Sequence, residues 1–191
     1  MRIIAGKYRS RILKSLKGLA LRPTSDRLRE TLFNILGPTV VGSRFLDVFA
    51  GTGAIGIEAL SRGAADVTFI ENHAPAAKLI RQNLDSLKIT SGYTILAADA
   101  LTALQKLAAR HTPSAPPIDF VFVDPPYAAH VDYARTLEFL SSNSATFLAP
   151  NAVVIFEHHH KFQLPEQSGQ LRRTRLLKQG DAALSFFRLT T

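Results

Sequence analysis

The sequence predicts an α/β fold in which a mostly parallel sheet is covered by helices on both faces and ends in an antiparallel edge. From residue 44 onward, short apolar runs alternate with helical stretches, which is the pattern of a doubly wound sheet. Two closing β-rich runs, joined by the short Gly180-Asp181 turn, predict the antiparallel edge. The chain has 191 residues, 46% of them hydrophobic, which is enough for a sizeable buried core.

Residues 1–25 mix apolar and basic side chains without a helical period and predict a small hairpin or mobile arm, followed by a second domain at 26–191. A helix begins near Asp26, where a carboxylate or hydroxyl can cap it, and ends at Gly37-Pro38. The pattern then predicts helices at 54–62, 75–87, 101–109 and 133–140, and seven strands at 44–49, 67–71, 93–97, 119–123, 152–156, 172–178 and 183–189.

The excess of basic residues indicates the class of molecule that this protein binds. Lys and Arg number 23 against 15 acids, which gives a net charge of +8 and a pI near 10.1. The first 30 residues carry nine basic residues and two acids, and residues 161–191 carry six and two, so the positive charge is concentrated at the two ends of the chain. A polyanion is the expected partner, with nucleic acid ahead of an anionic membrane; the alternative is that an exposed arm simply collects solvated charge.

Two absences in the sequence exclude further classes. The chain has no cysteine, which excludes disulfides, thiolate zinc sites, iron–sulfur clusters and cysteine nucleophiles. No apolar run approaches the roughly 20 residues that span a bilayer, and the amino terminus lacks the layout of a secretion signal. We therefore expect a cytoplasmic protein.

A glycine-rich turn follows the first predicted strand. Gly51-Thr52-Gly53-Ala54-Ile55-Gly56 is a GxGxxG sequence between a strand and a helix, where glycines let a ligand approach the backbone and the helix amino terminus. Glu71 lies about twenty residues further on, as in dinucleotide-binding proteins, so NAD is one candidate ligand.

Four acids favour a different ligand. Asp47, Glu71, Asp99 and Asp124 each stand at or near the carboxyl end of a predicted strand, where ligands of doubly wound sheets bind. Such a crevice suits a cationic ligand, and S-adenosylmethionine fits it. Glu71 can accept both ribose hydroxyls, Asp99 can accept from the adenine amine, and Asp47 can face the methionine end. For each acid alone, and most of all for Asp99, capping of the next helix is the alternative.

A second motif indicates the chemistry. The apolar run 119–123 ends in Asp124-Pro125-Pro126-Tyr127, whose prolines stop the strand and stiffen the loop. The loop can then present Asp124 and a carbonyl as fixed acceptors. Two acceptors on the N–H groups of an exocyclic amine would orient its delocalised lone pair toward a sulfonium methyl group, and Tyr127 could stack on the base. The alternative is a structural Pro-Pro turn after a buried strand. It accounts for the prolines but not for the acid and the aromatic residue on either side of them.

These motifs resemble a known family. Asp-Pro-Pro-Tyr is similar to the amino-methyltransferase signature, and with residues 47–53 it resembles class I S-adenosylmethionine-dependent methyltransferases. Residues 2–8, 22–34 and 58–64 resemble the RsmD family of bacterial 16S ribosomal RNA guanine-N2 methyltransferases, and the likeness extends from residue 2 to about 189. It implies a Rossmann-like fold with a seven-stranded sheet and an antiparallel edge strand, an amino-terminal hairpin or arm at 1–25 and a methyltransferase domain at 26–191.

The resemblance also implies the site residues. The catalytic loop is Asp124, Pro125, Pro126 and Tyr127. The expected cofactor-binding residues are Asp47, Phe49, Gly51, Gly53, Glu71, Asn72, Asp99 and Ala100. The expected RNA-binding residues are Lys7, Arg9, Arg11, Lys14, Arg22 and Arg27.

The expected cofactor is S-adenosylmethionine, and the expected partner is 16S ribosomal RNA or the small ribosomal subunit, including an assembly intermediate. We expect a monomer without a membrane or a metal. At most His158 and His160 could share a metal, because adjacent strand residues face opposite ways. The alternatives are an adenine-N6 or protein-glutamine methyltransferase, an NAD-dependent oxidoreductase and a non-catalytic RNA-binding protein.

Overall fold

The structure, a computed structural model, describes residues 1–15, 25–112 and 114–190. The chain forms two compact units, Met1–Ala98 and Asp99–Thr191. Among the described helices, none is long and apolar enough to cross a membrane.

The first unit contains a three-stranded parallel sheet. Its strands are β1 (Arg44–Val48), β2 (Asp66–Ile70) and β3 (Tyr93–Leu96), and β2 lies between the other two. All but the first residue of β1 and of β2 are buried, which is why both strands are almost continuously apolar. Asp47 is the exception in β1, and it pairs in register with Phe69 of β2.

Three helices and one short 3-10 helix complete the regular structure that is described in this unit. Helix α1 (Asp26–Leu36) begins where the Ser25 hydroxyl accepts a hydrogen bond from the Leu28 N–H, and it continues into the 3-10 helix Gly37–Val40. Helix α2 (Ala54–Ser61) follows the glycine-rich turn, and helix α3 (Ala74–Ser86) follows β2.

Residues 1–15 fold back as a small hairpin that is docked on α2. Arg2 and Ile12 form an antiparallel bridge, and the buried Glu58 side chain of α2 accepts hydrogen bonds from the backbone N–H groups of Ile4 (2.8 Å) and Ala5 (3.0 Å). Gly6 has a φ of +83°, and a Cβ there would lie 1.8 Å from the Ser61 carbonyl oxygen. The close approach therefore requires glycine.

The second unit contains a mixed sheet. Strand β4 (Ile118–Val123) pairs in parallel with β5 (Leu148–His159), and β5 pairs antiparallel with β8 (Ala182–Leu189). Two more antiparallel strands, β7 (Leu171–Gln179) and β6 (Gln167–Ser168), continue from β8. The helices described in this unit are α4 (Ala100–Arg110), α5 (His130–Ser142) and α6 (Ser144–Phe147).

The predicted α/β class and the antiparallel edge are confirmed. The described residues form eight strands, one more than the seven predicted, because the two-residue β6 is too short to leave a periodic pattern in the sequence. Strand β5 also begins four residues before the predicted strand 152–156, since Pro150 and Asn151 interrupt the apolar run without ending the strand.

Candidate active site

The glycine-rich turn has the backbone that the sequence predicts. Gly51 and Gly53 have φ angles of +54° and +77°, in the left-handed region that favours glycine. A Cβ on Gly53 would also lie 3.1 Å from two carbons of Ile80 on α3. Phe49, just before the turn, has a φ of +63° without being glycine. Such residues store strain of order 1–3 kcal/mol, and they concentrate at functional sites.

Glu71 holds this turn from the end of β2. Its buried carboxylate accepts hydrogen bonds from the Gly51 N–H (2.7 Å) and the His73 N–H (2.8 Å), one on each oxygen. An ionised carboxylate offers about four acceptor positions. The two backbone bonds therefore fix the orientation of Glu71 and leave capacity for two more donors, the number that a ribose 2′,3′-diol supplies.

Asp47 is fully enclosed at the end of β1. Its side chain is buried, and Oδ2 accepts a hydrogen bond from the Gly56 N–H at 2.9 Å. Burial raises the pKa of Asp47 to about 8, the hydrogen bond from Gly56 opposes that shift, and the nearby charge of Glu71 adds to it. Most Asp47 carboxyls are therefore protonated at neutral pH in the protein without ligand.

The remaining predicted cofactor residues have simpler surroundings. Asn72 is exposed directly after Glu71. Asp99 and Ala100 belong to the second unit, where Asp99 accepts from the Thr102 N–H at 3.0 Å and caps α4. The capping role that the sequence left open for Asp99 is thus present, and a carboxylate engaged by one donor can still accept others.

The Asp-Pro-Pro-Tyr loop follows β4 and is held by the side chain of Tyr133. The Tyr133 hydroxyl lies 3.2 Å from the Pro125 carbonyl oxygen and 3.0 Å from the Glu157 carbonyl oxygen, and Tyr133 is completely buried. Burial raises the pKa of Tyr133, and the charge of Asp124 raises it further, so the hydroxyl stays a donor. The single hydroxyl proton is shared between the two carbonyls, so Tyr133 restrains the Pro125 carbonyl, whose second lone pair can accept another hydrogen bond.

A cavity of about 460 Å³ lies beside this loop. The Tyr127 and His159 rings meet edge to face at 5.6 Å between centroids, and the His130 and Phe162 rings do so at 4.6 Å. The lining consists of Tyr127, Ala128, His130, His159, Lys161, Phe162 and Gln163. Aromatic walls, one cation and one amide are the groups that stack on a nucleobase and hydrogen-bond its edge.

The predicted RNA-binding side chains that are described all face solvent. Arg27 is exposed on α1, and Arg22 lies outside the described residues. The other four, here called the hairpin cations, are exposed on the docked hairpin; they are Lys7, Arg9, Arg11 and Lys14.

The three consecutive histidines are arranged differently from the prediction. His158 is buried and its Nε2 lies 2.8 Å from the Ser185 hydroxyl, and burial lowers its pKa. It is His159 and His160, with Asp181, whose ligand atoms lie within 4.8 Å of one another. His159 Nδ1 also accepts a hydrogen bond from the Lys161 N–H at 3.1 Å, so one nitrogen of this ring is already engaged.

Sequence reasoning missed three residues that shape these sites. Tyr133 anchors the Asp-Pro-Pro-Tyr loop, Glu58 docks the hairpin, and Asn83 of α3 contacts both the hairpin and the glycine-rich turn. The only sequence signal was a polar residue within a predicted buried face: Asn83 falls between Ile80 and Leu84 at helical spacing.

Comparison with known proteins matches this chain to one family model and to several relatives in bacteria. A family model described as "Conserved hypothetical protein 95" matches residues 1–188. The chain is 40% identical over 158 residues to ribosomal RNA small subunit methyltransferase D of Haemophilus influenzae, covering 82% of this chain and 78% of the relative. The protein of the same name from Escherichia coli K12 is 39% identical over 165 residues, covering 86% and 78%.

Two solved structures of methyltransferases are also similar to this chain. An Escherichia coli protein provisionally assigned as the methyltransferase yhhF has a TM-score of 0.82 and 32% identity, covering 100% of this chain and 99% of that one. A more distant, provisionally assigned methyltransferase solved with SAH has a TM-score of 0.66 at 14% identity, covering 85% of this chain and 48% of that chain, and shows likeness of fold.

Proposed function

This chain belongs to the RsmD family, whose model spans residues 1–188, and we propose that it methylates the exocyclic N2 amine of a guanine in 16S ribosomal RNA. The family membership identifies an rRNA methyltransferase with a Rossmann-like class I fold that uses S-adenosylmethionine. It sets aside the NAD-dependent oxidoreductase and the non-catalytic RNA-binding protein. The related enzymes are named for small-subunit ribosomal RNA, and we propose that this protein acts on such RNA in the cytoplasm.

The cofactor residues we propose are those of the glycine-rich turn and the acids beside it. Glu71 has acceptor capacity for two ribose hydroxyls, and the positive φ angles of Gly51 and Gly53 expose the backbone for close approach. We assign adenine contacts to Asp99 and Ala100 and backbone contacts to Phe49 and Asn72. When bound, S-adenosylmethionine supplies an electrophilic methyl group.

The observation that carries the amine assignment is the fixed carbonyl of Pro125. Tyr133 holds this carbonyl, and Asp124 stands next to it in a loop that two prolines stiffen. Each of the two acceptors takes one N–H of the guanine amine, so the nitrogen lone pair points away from both of them and toward the methyl group. As the amine gains the methyl group, the sulfur–methyl bond would break and S-adenosylhomocysteine would be left, while Asp124 or water would take the proton that the amine releases.

The cavity beside Tyr127 is the proposed place for the substrate base. Its volume of about 460 Å³ is large enough for a nucleobase with its sugar, and chemistry on a base requires that the base leave its stack. Tyr127 supplies a face for stacking. The hairpin cations would meet RNA phosphates, which supplies affinity without sequence preference.

The test is transfer of a labelled methyl group to small-subunit RNA and to small-subunit particles, followed by mass mapping of the product. We expect N2-methylguanosine at a single position. Asp124→Ala should lower kcat about 10- to 150-fold, the effect of losing a hydrogen bond to a charged group, with cofactor affinity unchanged. Asp124→Asn should be milder, because an amide oxygen still accepts.

Glu138→Ala, which removes an exposed acid from α5, is the matched control and should keep full activity. N6-methyladenosine as the product, or methyl groups on protein glutamine, would replace the guanine assignment by one of the alternatives. Near-normal turnover of Asp124→Ala would remove the role given to Asp124.

A further inference from the structure

Asn83 is a buried polar side chain that neither the cofactor nor the substrate is expected to touch. It lies on the apolar face of α3, between Ile80 and Leu84, and its exposed fraction is 0%. Burying an amide without hydrogen-bond partners is costly, because the group loses its hydrogen bonds to water. An asparagine at such a position is therefore held by hydrogen bonds.

Its hydrogen bonds join two separate segments of the first unit. Oδ1 accepts from the Lys14 N–H at 2.9 Å, and Nδ2 donates to the Lys14 carbonyl oxygen at 3.2 Å. The same Nδ2 donates to the Thr52 carbonyl oxygen at 3.1 Å. Both amide protons and the amide oxygen are thus used, and the three bonds fix the side chain in one orientation.

The two segments are the proposed RNA-binding hairpin and the proposed cofactor turn. Thr52 stands between Gly51 and Gly53, whose backbone we assign to the cofactor. Lys14 is one of the exposed hairpin cations, and its neighbour Leu13 donates its N–H to the Met1 carbonyl oxygen at 3.1 Å. The Thr52 hydroxyl also lies 3.8 Å from the sulfur of Met1, so both ends of the hairpin reach the turn.

We propose that Asn83 is a positioning residue that couples RNA binding on the hairpin to S-adenosylmethionine binding at the glycine-rich turn. The proposal rests on the proposed function. RNA that orders the hairpin fixes the backbone of Lys14, and Asn83 passes that restraint to the Thr52 carbonyl and hence to the turn. By thermodynamic linkage, each ligand tightens the binding of the other by the same factor.

The chain offers a matched control in Ser61, at the end of α2. Its hydroxyl accepts from the Tyr8 N–H at 3.0 Å and donates to the Ala5 carbonyl oxygen at 2.5 Å. Ser61 therefore docks the hairpin through two hydrogen bonds. These bonds reach Ala5 and Tyr8, near the tip of the hairpin, and do not involve Lys14. Ser61→Ala weakens docking without cutting the connection to Thr52.

The experiment measures the affinity for S-adenosylhomocysteine by calorimetry, with and without an unmethylated 16S rRNA transcript. In the unchanged protein, RNA should tighten binding by at least about fivefold, the lower end of typical coupling. Asn83→Ala should reduce this factor to within about twofold of unity, whereas Ser61→Ala should retain it. Asn83→Asp keeps the acceptor for the Lys14 N–H but cannot donate to Thr52; it should also lose the coupling and serves if Asn83→Ala does not fold.

Three results would overturn the proposal: no effect of RNA in the unchanged protein, retained coupling in both Asn83 variants, or equal loss of coupling in Ser61→Ala. Methyl transfer by the unchanged protein to the same transcript is measured in parallel. Failure of that transfer counts against the proposed function, while transfer together with any of the three results counts against the role of Asn83 alone.

Discussion

The protonation of Asp47 predicts an unusual dependence of stability on pH. In the unfolded chain this carboxyl has a pKa near 3.8, whereas in the fold burial raises the pKa to about 8. Between these values the native state keeps a proton that the unfolded state has released. Stability from this group is therefore full below about pH 4 and falls as the pH rises toward 8, by about 1.4 kcal/mol per pH unit.

Asp47→Asn removes the titration and keeps an oxygen that can accept from the Gly56 N–H. Urea unfolding of both proteins without ligand, at pH 5.5 and 7.5, isolates the effect because other groups titrate equally in both. The variant should gain about 2.7 kcal/mol relative to the unchanged protein between these two pH values. Asp85→Asn, on the exposed side of α3, controls for the loss of one acid. Parallel pH profiles for Asp47→Asn and the unchanged protein would refute a buried, protonated carboxyl.

Three further predictions concern the site. Glu71→Gln should weaken S-adenosylhomocysteine binding about 10- to 150-fold by calorimetry, because an amide nitrogen cannot accept from the backbone N–H groups that orient Glu71; unchanged affinity would contradict the ribose role. Tyr133→Phe should lower kcat while leaving cofactor affinity intact and should cost about 1–3 kcal/mol in urea unfolding, since the Pro125 and Glu157 carbonyls lose the donor they share. A normal kcat would show that this hydroxyl is dispensable. Replacing all four hairpin cations by Gln should make the slope of log affinity for RNA against log salt shallower by about 3, and an unchanged slope would place the phosphates elsewhere.

The parts of the site that the sequence predicts are those set by local chemistry. Gly51 and Gly53 adopt the positive φ angles that their residue type allows, and the turn lies between β1 and α2 as the GxGxxG spacing indicates. The prolines end β4 at Val123, next to Asp124. In each case the residues that determine the local backbone are neighbours in the chain, so the sequence alone predicts the local structure.

What the sequence does not predict depends on contacts between residues far apart in the chain. Glu58 meets the backbone of Ile4 across 54 positions, and Asn83 meets Lys14 across 69. On a helical wheel Glu58 is an ordinary charged residue of an apolar helix. The docked hairpin brings two N–H groups to its carboxylate, and Arg62 (2.7 Å) and Arg29 (3.7 Å) pair with it, so the buried charge is satisfied.

Arg29 is a second buried charge whose partners lie in distant parts of the chain. It stands on the buried face of α1 and braces that helix against its neighbours. Its guanidinium is fully buried, donates to Asp26 at 2.9 Å and to the Arg2 carbonyl, and lies 3.7 Å from Glu58. Burial lowers the pKa of Arg29, and the charges of Glu58 and Asp26 oppose that shift. The arginine therefore joins α1, α2 and the start of the hairpin, a connection between three segments that are distant in the sequence.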